Sequence, residues 1–184
     1  MILTDREIQV FLENRQIRIT PNPPAERYSS TSVDLALLGQ VRVWNLDQID
    51  RSAGEIIEPG AGFKYTDFRA KYTKLVRLDE KGYVIGPGQF ILAWTVENLS
   101  LPNSSRVAAR VEGKSSLARL GLGVHVTAPI IHAGFEGRLQ LEMYNHGPVS
   151  IRLRPGMAIC QVVFELSFGT PEKGYRGQFW RQRT

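Results

Sequence analysis

From residue 30 onward the chain is a succession of short β-prone runs, each closed by a turn signal, and no other feature constrains its fold so tightly. Ser32-Val33-Asp34-Leu35-Ala36-Leu37 and Gln40-Val41-Arg42-Val43-Trp44 come first. Gly82 to Trp94 holds two apolar runs split by Gly86-Pro87-Gly88. Arg106 to Val111, Gly123 to Ala128, Arg138 to Tyr144, Val149 to Leu153 and Ala158 to Leu166 follow at regular spacing, with Arg154-Pro155-Gly156 as a further turn. Strands this short and frequent predict a mainly β chain, a barrel or jelly roll. The 184 residues suffice for one hydrophobic core, and no linker or internal repeat divides them, so one domain over 1–184 is expected.

The N-terminus reads differently. Thr4-Asp5-Arg6-Glu7 has the form of a capping box, and Ile8, Phe11 and Leu12 follow at helical spacing, which predicts a short amphipathic helix from about Asp5 to Asn14. Pro21, Pro23 and Pro24 then impose an extended segment.

Two segments carry chemistry. In Gly113-Lys114-Ser115-Ser116-Leu117-Ala118-Arg119-Leu120-Gly121-Leu122, Ser115 and Arg119 stand four apart, so one helical turn sets both on one face. The start of that turn offers backbone N–H groups beside Lys114, a combination suited to phosphate. In Arg138 to Tyr144, Leu139, Leu141 and Met143 share one strand face and Arg138, Gln140, Glu142 and Tyr144 the other. Glu142 is the candidate acid/base partner of the serine and arginine. A sheet with one solvated face gives the same alternation with no function, and for any single polar residue here that reading competes.

Composition removes several classes. One cysteine, Cys160, allows neither an intrachain disulfide nor a cysteine-based zinc site, and its apolar neighbours predict an inert thiol. A zinc nucleobase deaminase needs a Pro-Cys-x-x-Cys pair and is excluded, and His125, His132 and His146 lack metal spacing on any one helix, though strands could converge them. Glu112-Gly113-Lys114-Ser115 is not a phosphate-binding P-loop, because position 108, where that motif needs glycine, is alanine. The net charge of +5 is dispersed, with Arg152/Arg154 and Arg176/Arg181/Arg183 the nearest approach to clusters, which argues against a nucleic-acid stripe. No apolar run approaches the ~20 residues of a membrane helix, and Met1-Ile2-Leu3 runs straight into charge, so no membrane partner and a cytoplasmic location are expected.

Ser32-Val33-Asp34-Leu35, Gly113 to Leu122, Val124-His125-Val126-Thr127-Ala128, Leu141-Glu142-x-Tyr144-Asn145, Arg154-Pro155-Gly156-Met157 and Tyr175-Arg176-Gly177-Gln178 resemble, in order, the motifs of the dCTP deaminase family, within the dUTPase-like superfamily. The resemblance spans almost the whole chain. It implies a distorted dUTPase-like β-barrel with a short N-terminal helix and one helical turn at the active-site motif. It implies a homotrimer with active sites between subunits, and deamination of dCTP to dUTP and ammonia in the supply of dUMP and dTTP. No catalytic zinc is implied; Mg2+ accompanies the substrate triphosphate, and dTTP is a candidate feedback inhibitor. By matching positions Glu142 shuttles the proton while Ser115 and Arg119 orient water and stabilise charge. Lys114, Ser116, Leu117, Ala118, Leu141, Gln161, Tyr175 and Gln178 contact the nucleotide, the last two from a tail, about 170–184, that closes as a lid.

Pro129 and Ile130 replace the more polar residues of some deaminases, and two further places depart from that pattern. His132 stands where relatives carry the aspartate that, in dUTPases and bifunctional enzymes, assists attack on the α-phosphate; this disfavours dUTP hydrolysis as the alternative activity. Lys173-Gly174-Tyr175 inserts a glycine into a family Lys-Tyr pair. A catalytically inactive nucleotide-binding regulator is the further alternative, against which the retained Ser115, Arg119 and Glu142 count.

Overall fold

The computed structural model describes residues 1–49, 54, 56–60 and 62–175. Helix α1 (Asp5–Glu13) forms where the spacing predicts it and buries Ile8 completely. Its cap differs from the expected box: the Thr4 hydroxyl donates to the Glu7 carboxylate instead of accepting a first-turn N–H.

The strands are β1 (Arg18–Thr20), β2 (Tyr28–Ser29), β3 (Ser32–Trp44), β4 (Thr73–Arg77), β5 (Tyr83–Ile85), β6 (Phe90–Ser100), β7 (Val107–Gly113), β8 (Leu122–Gly123), β9 (Ile130–Ile131), β10 (Glu136–Asn145), β11 (Ile151–Leu153) and β12 (Ala158–Leu166). Ten of them form one sheet in the order β8-β10-β6-β3-β12-β7-β9, with β1 on β6 and β2 and β4 on β3; β5 and β11 pair separately. Every pairing is antiparallel, and the sheet curls into a half-barrel around one core, which bears out the mainly β expectation.

The two strands expected over 32–37 and 40–44 are one. In β3, Val33, Leu35, Leu37, Val41 and Val43 all point into the core, so the alternation never changes phase. Its first half pairs with β12 and its second with β6 and β4, with the register shifting between Leu37 and Val41. A single strand thus serves both arms of the sheet.

Three local expectations change. Helix α2 (Tyr65–Tyr72) was not foreseen; Tyr65, Phe68 and Tyr72 recur at helical spacing, and Phe68 packs edge-on against Trp44 at 5.4 Å. The strand expected over 123–128 stops at Gly123, and the chain leaves the sheet there to border a cavity. The motif turn does form, as α3 (Ser115–Ala118). Cys160 is fully buried, and burial pushes its thiol pKa up, which suits an inert side chain.

One carboxylate lies inside the sheet. Glu97 is 6% exposed, and its Oε2 accepts the Ala36 N–H at 3.0 Å. Burial raises this carboxyl above its ordinary range, against the Ala36 N–H and the charges of Arg27 and Arg138. The folded protein therefore holds this proton more tightly than the unfolded chain. The resulting stability is complete below the unfolded value and is lost as pH rises through the folded one. Glu97→Gln keeps an acceptor for Ala36 and is expected to flatten this part of the stability curve. Thermal melts of both proteins between about pH 4 and 7 measure it; an unchanged slope in the variant contradicts the assignment.

Candidate active site

The alternation in β10 is realised: Leu139, Leu141 and Met143 are at most 4% exposed, while Arg138, Gln140, Glu142 and Tyr144 take the other face. That face is not a solvated sheet surface. Gln140 and Glu142 line a cavity of about 580 Å3. Arg42 and Trp44 of β3 and Phe90 and Leu92 of β6 line it beside them; Tyr65 and Phe68 of α2, the 125–132 segment, Phe135 and Tyr175 contribute further walls.

Glu142 Oε2 is buried with no hydrogen-bond partner. His125 Nδ1 lies 3.9 Å from it, beyond hydrogen-bond range, and His125 Nε2 is also buried and unmatched. A carboxylate oxygen withdrawn from water and left unpaired is costly, and a ligand or water proton in the cavity would relieve it. His125 is a site residue that sequence reasoning did not assign. Its motif was visible, but its proximity to Glu142 depends on the 124–128 segment leaving the sheet.

The serine–arginine turn forms as expected, with Arg119 N–H on the Ser115 carbonyl at 3.1 Å. Ser115, Ser116, Ala118 and Arg119 are exposed, and Leu117 packs partly against the core. Neither Ser115 nor Arg119 lines the cavity that holds Glu142. One copy of the chain therefore does not bring the three candidate catalytic groups together. Lys114 is engaged: its ammonium pairs with Asp34, both side chains mostly buried. Gln161 is engaged too, donating to the Gly113 carbonyl at 3.0 Å and accepting from Ser32 at 2.9 Å. These bonds hold the end of β7 in position, so Gln161 supports the turn. Leu141 lies in the core, so any nucleotide contact there is through its backbone.

The amino-acid sequence matches the dCTP deaminase-like family over residues 2–167. The chain belongs to that family. A relative from Methanosphaera stadtmanae named dCTP deaminase, dUMP-forming, is 37% identical over 174 residues, which are 95% of this chain and 83% of that protein. The dCTP deaminase of Rhodospirillum rubrum is 37% identical over 175 residues, 95% of this chain and 87% of that one. The crystal structure of 2'-deoxycytidine 5'-triphosphate deaminase from Agrobacterium tumefaciens superposes with a TM-score of 0.67 at 25% identity; the match covers 90% of this chain and 48% of that one, so this chain spans about half its length.

In this member of the dCTP deaminase-like family two of the departures noted in the sequence meet. The His132 ring stacks on Tyr175, with centroids 5.9 Å apart and planes at 20°, and Tyr175 N–H bonds the Ala133 carbonyl at 2.9 Å. Gly174 permits this, because a Cβ there would sit 2.0 Å from the Asn103 side chain. Tyr175 is thus docked on the body; Gln178 lies outside the described residues. Among the described residues no group of three or more His, Cys, Asp or Glu could hold a metal ion, and no helix is long and apolar enough to cross a membrane.

The exit of α3 is fastened to the end of β10. Gly121 (φ +90°) accepts the His146 N–H at 2.8 Å, and a Cβ on it would meet Gly147 N at 2.5 Å. Asn145, fully buried, organises that turn: its Nδ2 donates to the Ile85 and Val149 carbonyls and its Oδ1 accepts Gly147 N–H. Asn145→Ala leaves three backbone groups unmatched and is expected to cost about 2–4 kcal/mol in urea unfolding; a loss under about 1 kcal/mol would contradict this role.

Proposed function

We propose that the protein deaminates dCTP to dUTP and ammonia, in the supply of dUMP and dTTP. The observation that carries this reading is the buried, unpartnered carboxylate oxygen of Glu142 in a cavity of about 580 Å3, within the range of small-molecule sites. Glu142 takes a proton from water as the water oxygen bonds to C4 of the cytosine, and delivers it to N3. Glu142 then carries the hydroxyl proton of the tetrahedral intermediate to N4, the C4–N4 bond breaks, ammonia leaves, and C4 keeps the oxygen as a carbonyl. His125 Nδ1 lies 3.9 Å from the carboxylate and lines the same cavity.

Ser115 and Arg119, exposed and outside the cavity of their own chain, complete the cavity of a neighbouring copy in a homotrimer. Exposed apolar side chains support this, since Leu120 next to the turn and Val126 and Ile130 on the cavity wall are each more than half exposed. Ser116, Leu117 and Ala118 with the start of α3 face the phosphates, Lys114 holds that turn through its pair with Asp34, and Mg2+ enters as part of the substrate triphosphate. Tyr175 and Gln178 cover the base and sugar, and dTTP competes for the same cavity.

A second reading ends at dUMP, and the name of the Methanosphaera stadtmanae relative favours it. His132 disfavours it, because an imidazole does not replace the carboxylate base that the resemblance implies for phosphate attack.

Glu142→Gln is expected to lower ammonia release from dCTP by at least about 100-fold while nucleotide binding persists. Near-normal turnover in that variant overturns the assignment. Chromatography of the wild-type products separates the readings: dUTP supports the first, dUMP with pyrophosphate the second.

A further inference from the structure

Four buried side-chain nitrogen or oxygen atoms among the described residues lack a hydrogen-bond partner, and three of them belong to residues lining the cavity: Glu142 Oε2, His125 Nε2 and Arg42 Nε. The first two belong to the site described above. Arg42 does not, and nothing in the deamination chemistry uses it.

Arg42 lies opposite Leu92 in the β3–β6 ladder, and Leu92 lies opposite Glu142 in the β6–β10 ladder. The three share one cross-strand row and line the same cavity. Two strand spacings put Arg42 roughly 10 Å from Glu142 along the backbone. Among the described residues its hydrogen bond runs from Nη1 to the Thr73 hydroxyl at 3.1 Å, and that hydroxyl donates to the Arg69 carbonyl at 2.6 Å. Burial first, and then the charge of a second cation, Arg69, disfavour its charged form, against the contribution of Tyr65. Trp44, Tyr65, Phe68 and Phe90 line the cavity beside it. A half-buried guanidinium with no anion beside it among the described residues is expensive, and its fork geometry suits carboxylate or phosphate oxygens.

We propose that Arg42 and Thr73 make this end of the cavity a subsite for an oxygen-bearing anionic group, separate from the position of the pyrimidine at Glu142. The group is either a substituent carried on the base of the nucleotide or a small anion that binds alongside it. Its placement relative to the pyrimidine rests on the deaminase reading; the anion subsite itself does not.

The test uses the full chain, with calorimetric binding of dCTP, 5-carboxy-dCTP and inorganic phosphate to wild type, Arg42→Met and Arg42→Lys. In Arg42→Met, either the affinity for 5-carboxy-dCTP relative to dCTP or the affinity for inorganic phosphate is expected to fall at least about tenfold, with Arg42→Lys intermediate. The first result assigns the group to a base substituent, the second to a separate anion. The ligand-free melting temperature of Arg42→Met stays equal or rises, because the change removes an unpaired buried charge. Loss of neither preference overturns the proposal, as does a lower melting temperature with equal weakening for all three ligands. If Arg42→Met does not fold, the same comparison is made with Arg42→Lys, which keeps the charge and loses the fork. Ammonia release from dCTP is followed in parallel. Its absence in wild type with the Arg42 effect intact removes the deaminase reading and leaves the subsite standing.

Discussion

The register of β10 is the constraint on which the rest depends. Its side chains alternate with a period of two, so the same pairing with β6 that drives Leu139, Leu141 and Met143 into the core turns Glu142 into the cavity. A slip of one residue would bury the carboxylate in the core and expose three large apolar side chains, at roughly 1.5–3 kcal/mol for each. The functional group is therefore oriented by the hydrophobic effect acting on its neighbours. Asn145 fixes the far end of the strand through three hydrogen bonds to the backbone, and Gly121 ties α3 to that same end.

From this register follows a division of labour. The cavity, with Glu142 and His125, belongs to the face made by β3, β6 and β10. The serine–arginine turn stands at the end of β7, held by the Lys114–Asp34 pair and by Gln161, with its polar side chains outward. Each part is well supported and neither is sufficient alone. In the proposed homotrimer a second copy of the chain would bring its turn to this cavity.

Much of this was legible in the residues, for physical reasons that also mark where legibility ends. The period-two pattern of 138–144 and the four-residue spacing of Ser115 and Arg119 are local, and both are realised. Val124 to Ala128 alternates as a strand would, but ladder pairing stops at Gly123 because the segment borders the cavity. Helix α2 carries its aromatics without a clean apolar stripe, and its packing against Trp44 is set by the fold. Lys114 read as a free phosphate grip because its partner, Asp34, stands 80 residues away. Arg42 gave no signal at all: its partner Thr73 and its row-mate Glu142 come from distant strands.

The central claim is that one copy's Glu142 cavity is completed by another copy's Ser115 and Arg119. Mixing two variants tests it most directly. Glu142→Gln and Arg119→Ala, each inactive alone, are unfolded together, refolded at equal concentration and assayed for ammonia release from dCTP. If each site draws its carboxylate and its guanidinium from different copies, about a quarter of the sites are intact in the mixture, and activity returns to that level. A mixture as inactive as its components would contradict the account.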